Sequence, residues 1–114
     1  MTYAAFDLTG QVALVTGGNG GIGLGMAKAV AEAGANVAIW GTNAAKNAAA
    51  KAELEKTGRR ILALQVDVGD EAAVAQGFAD TLKILGRVDG CFANAGVSGR
   101  SGHASFGEMP TEEW

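Results

Sequence analysis

The segment Thr16-Gly17-Gly18-Asn19-Gly20-Gly21-Ile22-Gly23 constrains this chain more than any other. An apolar run, Val12-Ala13-Leu14-Val15, precedes it, and Leu24 to Val30 follows with apolar residues at helical spacing. The order is strand, glycine turn, helix. Glycine reaches positive φ and carries no Cβ, so the chain can reverse sharply and a ligand can lie against the backbone. Amides freed at the helix start have the positive end of the helix dipole behind them, which suits an anion such as a pyrophosphate. A bound dinucleotide is the expectation. A tight turn without a ligand is the competing reading of a glycine run taken alone.

The alternation continues along the chain. Strand one is read over Gln11 to Thr16 and the first helix over Gly21 to Ala33, with Gly34 just past its end. Ile22, Met26, Ala29 and Val30 fall at helical spacing and are expected to face the sheet. Strand two is Asn36 to Trp40. An alanine-rich helix from Asn43 to Thr57 follows, closed by Gly58. Strand three is Ile61 to Val66. Asp70 is the expected N-cap of a third helix in which Val74, Phe78, Leu82 and Leu85 form a buried stripe, ended by Gly86. Strand four is Val88 to Ala93. Strands alternating with helices predict an α/β fold: a Rossmann-like doubly wound parallel sheet of order 3-2-1-4, helices on both faces, strand four an exposed edge. Pro110-Thr111-Glu112-Glu113-Trp114 reads as the start of a further helix capped by Thr111. Residues 1–114 are expected to be a single dinucleotide-binding domain, truncated at the start of the helix after strand four.

Composition narrows the function. The chain has 114 residues, enough for one domain, and 48% hydrophobic residues with a single proline, so its 18 glycines do not signal disorder. A net charge of −3 without a basic cluster argues against nucleic acid as a partner. No apolar run is long enough to span a membrane, and Met1 to Asp7 lacks the pattern of a signal peptide. One cysteine excludes an internal disulfide and suits a reducing compartment, so a cytoplasmic location is expected. Cys91 is expected as a small buried residue of strand four. The one histidine, His103, lies in a Gly/Ser loop with no companion ligands, so no metal site is expected. Trp40 fills the core or borders an adenine pocket.

Four ordered segments resemble the short-chain dehydrogenase/reductase family across nearly the whole chain. Thr16-Gly17, three residues, then Gly21-Ile22-Gly23 matches its TGxxxGIG turn. Asp67-Val68, after strand three, matches its Asp-Val pair. Asn94-Ala95-Gly96 matches its NNAG segment, with Ala93 in place of the first asparagine, and Thr111 to Trp114 resembles the start of the helix that follows. The resemblance implies that Gly17, Gly21 and Gly23 shape the pyrophosphate turn and that the Asn19 and Ile22 backbones touch the cofactor. It further implies that Asp67 and Val68 hold the adenine, and that Asn94, Ala95 and Gly96 pack strand four against the ribose. Asp67 also fits an ordinary turn aspartate, and Asn94 to Gly96 ordinary turn chemistry.

The same resemblance implies catalysis by a tyrosine and a lysine in a YxxxK pair, with a serine before them and an asparagine in the helix after the NNAG loop. The only tyrosine is Tyr3, with Asp7 four residues on, so no catalytic residue is assigned within these 114 positions. Choice between NAD and NADP is made near the end of strand two, by an acid that favours NAD or a basic residue that favours NADP. Here Gly41 and Thr42 occupy those positions, and Gly20 stands where a second basic residue would be. Lys46 either reaches a 2′-phosphate or is simply solvated, so the choice stays open. The implied function is NAD(P)-dependent interconversion of an alcohol and a carbonyl in a small molecule, by a homo-oligomer to which this chain contributes the cofactor-binding half. A non-catalytic dinucleotide-binding sensor or scaffold is the alternative. A methyltransferase would explain the glycine turn but not Thr16 or Asn94 to Gly96.

Overall fold

The computed structural model describes residues 4–96, so Tyr3, His103 and the helix start expected at 110–114 lie outside the described residues. After a single 3-10 turn at Ala4–Phe6 come β1 (Val12–Thr16), α1 (Gly21–Glu32), β2 (Asn36–Gly41), α2 (Ala44–Glu55), β3 (Ile61–Gln65), α3 (Glu71–Leu85) and β4 (Gly90–Ala93). All four strands are parallel in the order β3-β2-β1-β4. The expected topology is the one observed.

The two central strands are continuous apolar runs because both of their faces are covered. Every residue of β1 is buried, as are Val37 to Gly41 of β2. On one face Val15, Val37 and Ile39 pack with Ala27 and Ala31 of α1 and with Ala50 and Leu54 of α2. On the other, Val12, Leu14, Ala38 and Trp40 pack with Val66 and with Leu85 of α3. Ile39 and Leu54 are fully buried, and each contributes about 1.5–3 kcal/mol by leaving water. Trp40 is a core residue, 3% exposed, and its indole N–H donates to Thr81 Oγ1 at 3.3 Å.

Helix ends follow the sequence signals. Asn43 Oδ1 accepts from the Lys46 amide at 3.0 Å, and Asp70 Oδ1 accepts from the Ala73 amide at 3.2 Å. Gly86 closes α3 in the left-handed conformation at φ 86.

The helix faces differ from the expected stripes. Met26 and Val30 are half-buried and pack against the core as expected, but Ile22 is 78% exposed and Ala29 is also exposed; the buried residues of α1 are Gly23, Ala27 and Ala31. In α3, Leu85 is buried and Val74 packs half-buried against the core as expected, but Phe78 and Leu82 are 42% and 40% exposed, and Gly77 and Thr81 are buried in their place. The cause is close packing. A Cβ on Gly77 would lie 2.8 Å from Val66 Cγ2, so α3 sits too near the sheet for a larger face.

Strand β4 is the exposed edge that the topology predicts. Cys91 is therefore exposed, not buried. At the amino ends of the strands, Asp89 Oδ2 accepts the Val12 amide at 2.8 Å while Arg87 pairs with the same carboxylate at 2.6 Å. The hydrogen bond from Arg87, then that from the Val12 amide, holds the Asp89 carboxyl below its usual range. This clamp lies at the end of the sheet opposite the glycine turn.

Candidate functional site

The carboxyl ends of β1, β2 and β4 meet the first turn of α1. Gly17 takes φ +68, and its amide donates to the Trp40 carbonyl at 2.8 Å, tying the turn to β2. Gly21 takes φ +54, and a Cβ there would meet nothing within 4 Å among the described residues. Gly18 and Gly23 are demanded by packing instead. A Cβ on Gly18 would lie 2.6 Å from Ile39 Cγ2, and one on Gly23 would run into the Gly17 carbonyl and lie 2.5 Å from Asn94 Nδ2. The turn is thus packed tightly behind and open in front, at Gly21.

Among the described residues the start of α1 carries no counter-charge of its own. Its N-cap, Gly20, is extended (φ −175, ψ 171) and supplies no side-chain cap, and the first turn contains no acid. Helices α2 and α3 are both capped by side chains. Helix-start amides with no side-chain cap among the described residues, beside open space at Gly21, fit a pyrophosphate.

Strand β4 delivers its end to this turn. Asn94 Nδ2 donates to the Thr16 and Gly17 carbonyls at 3.2 and 3.3 Å. Thr16 Oγ1 accepts from the Ala95 amide at 3.1 Å and donates to the Phe92 carbonyl at 3.5 Å. Gly96 is exposed beyond it. Thr16, Gly17, Asn94 and Ala95 therefore form one hydrogen-bonded unit.

The end of β2 holds a feature that sequence reasoning missed. Asn47, on α2, is 5% exposed. Its amide donates to the Gly41 and Leu64 carbonyls at 2.9 and 3.2 Å, and its Oδ1 accepts from Asn19 Nδ2 at 2.8 Å. Its signal was present: Asn47, Ala50 and Leu54 share one helical stripe, and an asparagine on a buried face implies polar partners. Thr42 is exposed, and its carbonyl accepts from Gln65 Nε2 at 3.1 Å. Lys46 is exposed, with its ammonium beside the turn: a Cβ on Gly20 would lie 3.5 Å from its Nζ.

Asp67 and Val68 follow β3 and are both exposed. Asp67 Oδ1 accepts from the Gly69 amide at 2.8 Å, which fixes the turn into α3. Ile22, in the first turn of α1, has an exposed side chain.

A family model described as short chain dehydrogenase matches residues 11–114. Sorbose reductase of Candida albicans is 41% identical over 97 residues, which cover 85% of this chain and 34% of that protein. The structure of L-sorbose reductase from Gluconobacter frateurii, complexed with NADPH and L-sorbose, superposes with a TM-score of 0.81 at 28% identity, covering 96% of this chain and 41% of the other. NAD+-bound xylitol dehydrogenase superposes with a TM-score of 0.78 at 33% identity, covering 79% of this chain and 35% of the other. The chain spans less than half the length of each of these relatives. The sheet order, the glycine turn tied to Asn94, and a family match over residues 11–114 lead to one assignment: the chain belongs to the short-chain dehydrogenase family.

Proposed function

We propose that this chain is the dinucleotide-binding part of an NAD(P)-dependent oxidoreductase that interconverts an alcohol and a carbonyl in a small molecule. The observation that carries the reading is the uncapped start of α1 facing open ground at Gly21. In this reading the backbone from Gly17 to Gly23, with Asn19 and Ile22, receives the pyrophosphate. Thr42 borders the adenosine ribose at the end of β2. Asp67 accepts a hydrogen bond from the adenine amino group, with the Val68 amide beside it. Asn94, Ala95 and Gly96 pack the end of β4 against the cofactor ribose. When bound, the dinucleotide supplies or accepts the hydride. These residues bind and orient; the acid/base tyrosine and its lysine are supplied from outside the 114 residues, which form a single domain.

Sorbose, named for one relative, indicates the kind of small hydroxylated or carbonyl substrate. A homo-oligomer working in the cytoplasm completes the proposal. The test is a pair of measurements on the complete protein: dinucleotide titration, and substrate-dependent change in NAD(P)H absorbance with small alcohols and ketones. Saturable binding with turnover supports the oxidoreductase, and binding without turnover on any such substrate supports a sensor.

A further inference from the structure

The geometry points to Asn47 as a positioning residue for dinucleotide choice, one that closes the end of β2 to an acid and leaves Lys46 as the charge there, so that a 2′-phosphorylated dinucleotide is preferred. This rests on the proposal that the site binds NAD or NADP.

An acid at the end of β2 selects against a 2′-phosphate by repulsion and hydrogen-bonds the free ribose hydroxyl instead. Position 41 has no free space for one here unless its neighbours shift. A Cβ on Gly41 would collide with Asn19 Nδ2 and lie 2.5 Å from Asn47 Oδ1. Asn19 can swing aside only by giving up its bond to Asn47 Oδ1, and Asn47 itself is held more firmly. The two hydrogens of the Asn47 amide are committed to the Gly41 and Leu64 carbonyls, which leaves its oxygen aimed at Asn19. Moving Asn47 would strand buried polar groups, a larger loss than the hydrogen bonds alone.

The charge at this corner is positive. Lys46 directly precedes Asn47, and its amide is held by the Asn43 cap at 3.0 Å. Its ammonium lies beside Gly20, and it makes no ion pair among the described residues. A cation without an ion-pair partner among the described residues, next to a strand end where residue 41 leaves no space for a carboxylate, matches the chemistry of a phosphate monoester on the ribose.

The experiment measures dissociation constants of NADPH and NADH for the complete protein and its variants by fluorescence titration, with circular dichroism to confirm folding. The native protein should prefer NADPH by about tenfold or more, the range of one charge-assisted hydrogen bond. Lys46→Ala, on an exposed side chain, should remove most of that preference. Gly41→Asp alone should not create a preference for NADH. Gly41→Asp combined with Asn19→Gly and Asn47→Ala, which clear the space, should create one. A folded Gly41→Asp single variant that prefers NADH overturns the role of Asn47. Native binding without preference, or a preference untouched by Lys46→Ala, overturns the assignment while leaving dinucleotide binding intact. Binding of neither dinucleotide by the folded protein overturns both readings together.

Discussion

Asn94 reaches back across 77 residues to the glycine turn, its side-chain amide 3.3 Å from the Gly17 carbonyl oxygen. The same amide bonds the Thr16 carbonyl, so the end of β4 and the turn after β1 are tied together. Asn94→Leu keeps the approximate size and removes both bonds. It should lower stability by about 1–3 kcal/mol, since two part-buried carbonyls lose their donor. It should also weaken dinucleotide binding. Chemical denaturation and a cofactor titration on the same variant check both effects.

The glycines of the turn region divide into three kinds, and single substitutions should separate them. Gly23→Ala puts a Cβ against the Gly17 carbonyl and should cost about 1–3 kcal/mol of stability by overpacking. Gly21→Val meets no neighbour but is strained by φ +54 and should chiefly affect binding. Gly25, exposed within α1 and with nothing within 4 Å of an added Cβ, is the control. Gly25→Ala should stabilise by about 0.5–1 kcal/mol, because alanine loses less backbone freedom in a helix. Thermal unfolding of the three variants gives the ranking.

The Trp40–Thr81 hydrogen bond joins β2 to α3 through the core. Thr81→Val is nearly the same shape and leaves the buried indole N–H without an acceptor. The expected loss is about 1–3 kcal/mol, with dinucleotide affinity unchanged. A drop in affinity as large as the drop in stability would show that α3 acts on the site.

Sequence and structure agree where local chemistry decides. The cap at Asp70, the left-handed Gly86 and the strand order were legible because short-range hydrogen bonds, conformational limits and the βα alternation dictate them. The buried helix faces were not. Phe78 and Leu82 outrank Gly77 and Thr81 in hydrophobicity, yet the near approach of α3 to Val66 selects the smaller pair. The exposure of Ile22 has the same origin, since Gly23 turns inward against the Gly17 carbonyl. Cys91 looked like a core residue by type, but edge strand β4 leaves it exposed. At the site, the glycine turn and Asn94 were readable from their spacing. The bond from Asn19 to Asn47 spans 28 residues, and no local pattern joins them.

The Asp89 clamp makes stability depend on pH. Its folded value is depressed below the ordinary 3.8, chiefly by Arg87 and then by the Val12 amide. The carboxylate is thus favoured in the folded state. Its contribution is fully present above the ordinary value of 3.8 and is lost as pH falls through the folded value. Asp89→Asn should lower the thermal midpoint near neutral pH, and the gap to the native protein should shrink on acidification. A gap that stays constant down to strongly acid pH would contradict the clamp.

In the proposed function the open face at Gly21 receives a dinucleotide pyrophosphate. Titrating NADPH and NADH into the complete protein, native and Gly21→Val, tests it most directly. Saturable binding of at least one dinucleotide by the native protein, lost or greatly weakened in a Gly21→Val variant with native circular dichroism, is the predicted result. Equal affinity in the two proteins, or no binding by the folded native protein, would contradict it.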